Sequence, residues 1–349
     1  MKVAPVIRAL DGVTGVAQLL VHTGQHYDPR MSGSFFEDLD LPAPDFFLGV
    51  GSGSHASQTA AVMVRLEPIL AEHRPDLILV PGDVNSTLAA ALTATKAGVP
   101  VAHLEAGLRS RDRSMPEEHN RVLTDHLADL LLTPSRDADK NLLNEAIAAE
   151  KIAFVGNTMI DSLRAFEPAA RALEVAADFE TKDYLLVTLH RPGLVDHPDR
   201  FRPVLEALET VAEDRPVLYP IHPRSRQRLD NAGWLPRRVR LLEPQSYLRF
   251  LSLLTTAHAV LTDSGGIQEE TTVLGIPCYT LRENTERPIT VDLGTNTLLG
   301  VGELALQRLL RSLEGSKPRR PVELEGWDGQ AAERVRDAIT ARLLGGASR

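Results

Sequence analysis

Eight short apolar runs set the main limit on how this chain folds. They are VAQLLVHTG (16–24), DLILVPGD (76–83), VPVAHLEAG (99–107), KIAFVGNT (151–158), YLLVTLH (184–190), PVLYPIH (216–222), AVLTDSGG (259–266) and IPCYTLR (276–282). Each holds about 4–7 residues of Val, Ile, Leu or Tyr, and most end in polar residues or glycine. A strand that reads as continuously apolar is buried on both faces, as in a parallel sheet. Helix-like stretches lie between the runs, such as SQTAAVMVRLEPILAEH (57–73) and STLAAALTATKAG (86–98). This alternation predicts a doubly wound α/β architecture.

At 349 residues the chain is long for one domain. Between Ile160 and Asp183 the text turns helical and charged, and the connection is expected at about 162–182. The expected layout is a first Rossmann-like domain over 1–165 and a second over 166–328. A final helix in 329–349, GQAAERVRDAITARLL, is expected to pack back on the first domain. Ligands are expected in a central cleft facing the carboxyl ends of the strands.

Composition removes some classes of function. The net charge of −9 argues against a nucleic-acid surface. No apolar run approaches the ~20 residues needed to span a bilayer, and no signal peptide is expected, since no basic stretch followed by an apolar one is read at the start. The single cysteine, Cys278, cannot form an internal disulfide, so a reducing, cytoplasmic setting is expected. It sits in apolar company and reads as core. The histidines form no HExxH pair, and no suitable DxD loop occurs, so no metal is expected. Ser264 lacks a G-x-S-x-G setting, so no covalent nucleophile is expected either.

AVLTDSGGIQEETTVLG is the most informative stretch. A buried strand runs into Asp263-Ser264-Gly265-Gly266 and then a helix. Two glycines allow a tight turn, and the free N–H groups of a helix start suit a phosphate. Ser264 could cap the helix or donate to the phosphate. Glu270, about one turn further in, could reach back to ribose hydroxyls. A plain serine-capped strand–helix turn would read the same way.

Acidic residues gather at the expected strand ends of the first domain. Asp83 follows one strand and would also serve as a helix N-cap. Glu105 follows the next, with Arg109 nearby. Pro116 suits a first helical position, and Glu117 and Glu118 suit the positive end of a helix dipole, with or without a catalytic role. Several carboxylates in one place can divide proton removal and return, because burial and repulsion push their pKa values apart. In the second domain, His190-Arg191 ends a strand and could hold a diphosphate or protonate it as it leaves. IHPR adds His222 and Arg224, TERP adds Glu286 and Arg287, and TGQHYD adds Gln25 and His26.

These motifs, with PGDVNST (81–87), HLEAGLRS (103–110), MPEEHNR (115–121) and VGNTMID (155–161), stand in an order that resembles the non-hydrolysing UDP-N-acetylglucosamine 2-epimerases. The resemblance covers nearly the whole chain. It implies two Rossmann-like domains of the GT-B-like kind and reversible epimerisation of UDP-GlcNAc to UDP-ManNAc without a cofactor. It also implies a homodimer and a product used for cell-surface polysaccharide. UDP-GlcNAc would be the substrate and a possible allosteric activator. By the same resemblance Asp83, Glu105, Glu117 and His190 are catalytic. Ser264, Gly265, Gly266, Glu270, His222, Arg191 and Arg287 bind UDP, and Gln25, His26 and Arg109 meet the sugar or an effector. Two departures stand out. Gly193 replaces an acidic residue found in many members. The opening MKVAPVIRAL already reads as the first helix, where members begin with a strand and a G-T-R-P-E turn, so the expectation is a start upstream of Met1. Rival readings are a hydrolysing relative that releases ManNAc and UDP, a glycosyltransferase, and a non-catalytic nucleotide-sugar sensor.

Overall fold

The computed structural model describes residues 1–25, 38–231, 233–315 and 320–345. They fall into two compact units, one of Met1–Ser162 with the segment from Glu325 onward, the other of Leu163–Leu324.

In the first unit four strands form a parallel sheet in sequential order: β3 (Ile78–Pro81), β4 (Val101–Leu104), β5 (Leu130–Thr133) and β6 (Ile152–Phe154). Every residue of β4 and β5 is buried, as strands covered on both faces require. A separate parallel pair joins β1 (Val21–His22) to β2 (Phe46–Phe47). Val21 and Leu48 pack into the same apolar cluster as Val80 and Leu131, so both sheets share a core face. The helices are α1 (Ala4–Leu10), α2 (His55–His73), α3 (Asn85–Lys96), α4 (Pro116–Leu127) and α5 (Arg136–Asn144). Helix α6 (Thr158–Ala172) carries the chain from the first unit into the second.

The second unit is a six-stranded parallel sheet in the order β12-β11-β10-β7-β8-β9. Its strands are β7 (Leu185–Thr188), β8 (Val217–Pro220), β9 (Arg240–Leu242), β10 (Ala259–Thr262), β11 (Cys278–Thr280) and β12 (Asn296–Leu298). Chain order runs outward from β7 in one direction and from β10 in the other. The junction of β7 and β10, where Thr188 faces Thr262, is therefore a topological switch point, the place where such sheets bind ligands. The longer helices here are α7 (Pro198–Asp214), α8 (Pro223–Asn231), α9 (Tyr247–Thr256), α10 (Gly265–Leu274) and α11 (Glu303–Glu314).

After Leu324 the chain returns to the first unit, ending in α12 (Ala331–Gly345). The Asp161 carboxylate accepts the backbone N–H groups of Ala331 and Ala332 at 3.1 and 2.6 Å, satisfying two unpaired donors of that helix start. Trp327 donates its indole N–H to the Pro134 carbonyl at 3.0 Å, and the Arg334 Nε donates to the Val155 carbonyl at 2.6 Å. Gly156 makes the docking possible. Its φ is +87°, and a Cβ there would stand 1.9 Å from the Gly326 carbonyl oxygen. Gly156→Ala is expected to lower stability by about 2 kcal/mol or more, read as a fall in the denaturant midpoint.

Candidate active site

The carboxyl edge of the first sheet gathers the acidic residues. Gly82 turns the chain after β3 with φ +67°, and Asp83 follows. The N-cap of α3 is Val84, without a side-chain cap bond, so Asp83 is not the cap its position allowed. Its carboxylate instead pairs with the buried Arg121 guanidinium. Arg121 also pairs with Glu118, one turn earlier on α4. Asn120 donates to the Asp83 carbonyl at 2.9 Å. Residues of α4 thus hold the Asp83 turn from side chain and backbone alike.

Glu117 and Glu118 are adjacent in sequence and unlike in setting. The Glu118 carboxylate accepts the Ser110 and Arg111 backbone N–H groups at 3.0 and 2.8 Å, and the Ser110 hydroxyl at 2.9 Å. Burial alone would raise its pKa, but these bonds and the Arg121 charge outweigh burial and hold it below the ordinary carboxylate range. Glu118 is committed to the fold. Glu117 is half-buried and its carboxylate has no partner among the described residues.

Glu105 follows β4 in the left-handed region, φ +71°, which is costly for a residue with a Cβ and clusters at functional sites. Its backbone N–H is held by the Leu132 carbonyl at 3.0 Å, and its carboxylate pairs with Lys2. A Cβ added at Gly82 would lie 2.9 Å from the Lys2 Nζ and 3.5 Å from a Glu105 carboxylate oxygen. Lys2 and Glu105 therefore lie directly over the turn that presents Asp83.

Two further predicted residues serve this scaffold. Arg109 is buried and makes a two-pronged pair with Glu145, at 2.8 and 2.6 Å, and a third bond to Asp125 at 2.7 Å. Gln25 is buried, and its side-chain oxygen accepts the Ser86 backbone N–H at 3.0 Å and hydroxyl at 2.6 Å. His26 lies outside the described residues.

In the second unit the site stands at the switch point. His190 follows β7 and is exposed, while Asp263, just past β10, is buried. One Asp263 oxygen stands 2.8 Å from the His190 Nδ1. The other accepts the backbone N–H groups of His190 and Arg191 at 2.9 and 2.8 Å. The Arg191 Nε donates to the Asp263 carbonyl at 2.9 Å. Burial works to raise the Asp263 pKa, but the bonds from His190 and the two backbone donors hold it low. His222 lies just past β8, also exposed. A Cβ at Gly193 would meet nothing within 4 Å, so the backbone there accepts a larger residue.

Ser264 is the N-cap of α10, but its hydroxyl makes no cap bond, contrary to one expected role. The Thr262 hydroxyl instead accepts the Ser264 N–H at 2.9 Å. Gly265 is needed for close approach. A Cβ there would meet the Arg287 Nη1 at 2.3 Å and a Glu286 oxygen at 2.6 Å. Arg287 is buried at the start of α10, paired with Glu269 at 2.8 Å and with Glu286, which also holds Arg282 at 2.7 Å. Glu270 is buried with one oxygen 3.5 Å from the Tyr247 hydroxyl. Burial, then the neighbouring Glu269 charge, push its carboxyl up to about 8.

Lys2, Arg121 and Asp263 are site residues that sequence reasoning did not assign. Arg121 and Asp263 stand inside quoted motifs, and their partners could have been sought among the acidic residues and the histidine there. Lys2, read as the edge of an opening helix, carried no signal. Among the described residues no group of three His, Cys, Asp or Glu could hold a metal ion, and no helix is long and apolar enough to cross a membrane.

Two doubly wound units, one with acidic strand ends and one with a glycine turn at its switch point, define a GT-B-like α/β protein of the nucleotide-sugar class. The sequence model of the family described as UDP-N-acetylglucosamine 2-epimerase matches residues 8–340, and the chain belongs to that family. The UDP-N-acetylglucosamine 2-epimerase of Methanocaldococcus jannaschii is 42% identical, over 97% of this chain and 95% of its own. The UDP-2,3-diacetamido-2,3-dideoxy-D-glucuronate 2-epimerase of Pseudomonas aeruginosa is 39% identical, over 97% and 96%. The crystal structure of the M. jannaschii UDP-GlcNAc 2-epimerase in complex with UDP-GlcNAc and UDP matches with a TM-score of 0.90 at 40% identity, covering 97% of this chain and 96% of that one.

Glu270 generates a prediction about pH. A carboxyl whose folded value is raised keeps its proton in the fold after the unfolded chain has lost it. Its contribution is intact below the ordinary value of 4.5 and is lost as pH rises to about 8. Glu270→Gln is therefore expected to lose less stability than the parent between about pH 5 and pH 8, by up to a few kcal/mol. Parallel denaturant melts at the two pH values measure the difference.

Proposed function

We propose that this protein interconverts UDP-GlcNAc and UDP-ManNAc by eliminating UDP and adding it back. The observation that carries the proposal is the pairing of two chemistries in one chain of this family. Asp83, Glu105 and the unpartnered Glu117 share one sheet edge, and His190 on Asp263 stands at the switch point of the other. In this reading a first-unit carboxylate takes the C2 proton. The C1–O bond breaks, and UDP leaves with its electron pair while a C1–C2 double bond forms. His190 and Arg191 stabilise the departing diphosphate. Readdition of UDP to C1 and of a proton to the opposite face of C2 completes the inversion. Ser264, Gly265, Gly266, Glu270, His222 and Arg287 are assigned to UDP. Gln25, His26 and Arg109 are assigned to the sugar or effector side, for Arg109 through its anchoring of the loop after Glu105.

The reading extends to a cytoplasmic homodimer that supplies ManNAc-type sugars for surface polysaccharide, with UDP-GlcNAc also acting as an activator. The buried lone Cys278 is in keeping with a reducing compartment. The P. aeruginosa relative, named for a diacetamido glucuronate, favours a second reading in which the sugar carries other substituents at C3 and C6.

Turnover of UDP-GlcNAc in deuterated water is expected to place deuterium at C2 of both epimers, without build-up of free UDP. Absence of label would remove the elimination mechanism, and steady UDP release would identify a hydrolysing enzyme. Faster turnover of the diacetamido glucuronate would select the second sugar. Glu117→Gln is expected to reduce kcat by about 100-fold or more while leaving the melting temperature near the parent's. Parent-like turnover would take Glu117 out of the proton transfers.

A further inference from the structure

Asp263 carries no assigned role in the reading above, although the Ser264 turn that it opens does. Its carboxylate is 1% exposed, whereas the His190 side chain is 55% exposed. Among the described residues no lysine or arginine side chain forms an ion pair with this carboxylate. The Arg191 guanidinium bonds to the Asp263 carbonyl, and the Tyr219 hydroxyl nearby is turned to the Leu189 carbonyl at 2.8 Å. What the carboxylate does hold is His190, through the ring Nδ1 at 2.8 Å and the backbone N–H at 2.9 Å, together with the next N–H along. An ionised carboxylate only accepts hydrogen bonds, so Nδ1 must be the protonated nitrogen. The ring is then fixed in one tautomer and one orientation, with Nε2 on the side away from Asp263. A lone structural acceptor would need only the two backbone donors. The added ring contact ties β10 to the reactive end of the residue after β7, across the switch point.

We propose that Asp263 is the positioning residue of His190: it holds the imidazole as the Nδ1–H tautomer and aims Nε2 at the oxygen of the departing diphosphate. The proposal rests on the reading of His190 as the group that meets UDP. The physical logic is that of any acid–base histidine oriented by a buried carboxylate, where the orienting group never touches the substrate but decides which nitrogen does.

The first test uses the unaltered protein. Nitrogen-15 spectra of histidine-labelled enzyme, with the His190 signals assigned by their loss in His190→Gln, are expected to show the neutral ring protonated at Nδ1. A neutral ring protonated at Nε2 would overturn the proposal, whatever the kinetics. The second test is kinetic. Asp263→Asn is expected to lower kcat for UDP-GlcNAc by about tenfold or more with KM changed by less than about threefold. In the double variant with His190→Gln, kcat is expected to be no lower than in His190→Gln alone. Additive losses, or an Asp263→Asn enzyme with parental kcat, would leave Asp263 a structural cap. Parental kcat in His190→Gln would refute the role of His190 itself, and the tautomer measurement would still decide the orienting contact.

Discussion

A strand covered on both faces admits a polar side chain only where partners inside the fold satisfy it, as Asp125 and the Gly82 carbonyl satisfy His103 in β4. That constraint shapes both units. β4, β5 and β10 are buried at every residue, and the groups able to do chemistry begin just past them, at Glu105 and at Asp263. Parallel strands all end on the same edge, so residues far apart in sequence meet there without any long-range design of loops. Asp83 and Glu105 lie over one turn for this reason. His190 and the Ser264 turn meet because β7 and β10 are neighbours.

What each carboxylate does is then decided by what faces it. Glu118 has three donors and an arginine and is held ionised in the fold. Asp83 shares that arginine, Glu105 takes Lys2, and Asp263 takes an imidazole. Glu270, deep beside Glu269, is pushed the other way. The same side-chain chemistry thus yields structural anions, a carboxyl that keeps its proton, and at Glu117 a half-buried carboxylate without a partner among the described residues. Differences of this kind let one chain contain both protonated and ionised carboxyls.

The alternation of strands and helices was legible because its cause, burial on both faces, acts on every residue of a run. Its limits have the same cause. The run at 16–24 yields only Val21–His22 as strand, and Phe46–Phe47 and Asn296–Leu298 went unremarked because short strands carry too few apolar residues to stand out. Leu130–Thr133, a four-residue strand, was likewise not singled out. At the site, the acidic residues and the glycine turn stood out by position. Their sorting did not, since Glu118 is distinguished from Glu117 by Ser110 and Arg111, which no local pattern links to it. The cap that position allowed to Asp83 is not made, because Arg121, reachable only in three dimensions, takes its carboxylate, and the Ser264 hydroxyl makes no cap bond.

The return of the chain to the first unit after Leu324 bears on how the protein is made. The second unit is an insertion, written between Ser162 and Glu325. On a ribosome it can be completed while the first unit still lacks α12 and the contacts of Trp327 and Arg334. Until they arrive, the Val155 and Pro134 carbonyls and part of the cluster around Leu104 and Leu132 stay uncovered. The sheet that presents the acidic residues is thus the last part of the molecule to close, and a chain released short of its final helix would carry a finished second unit and an unfinished first one.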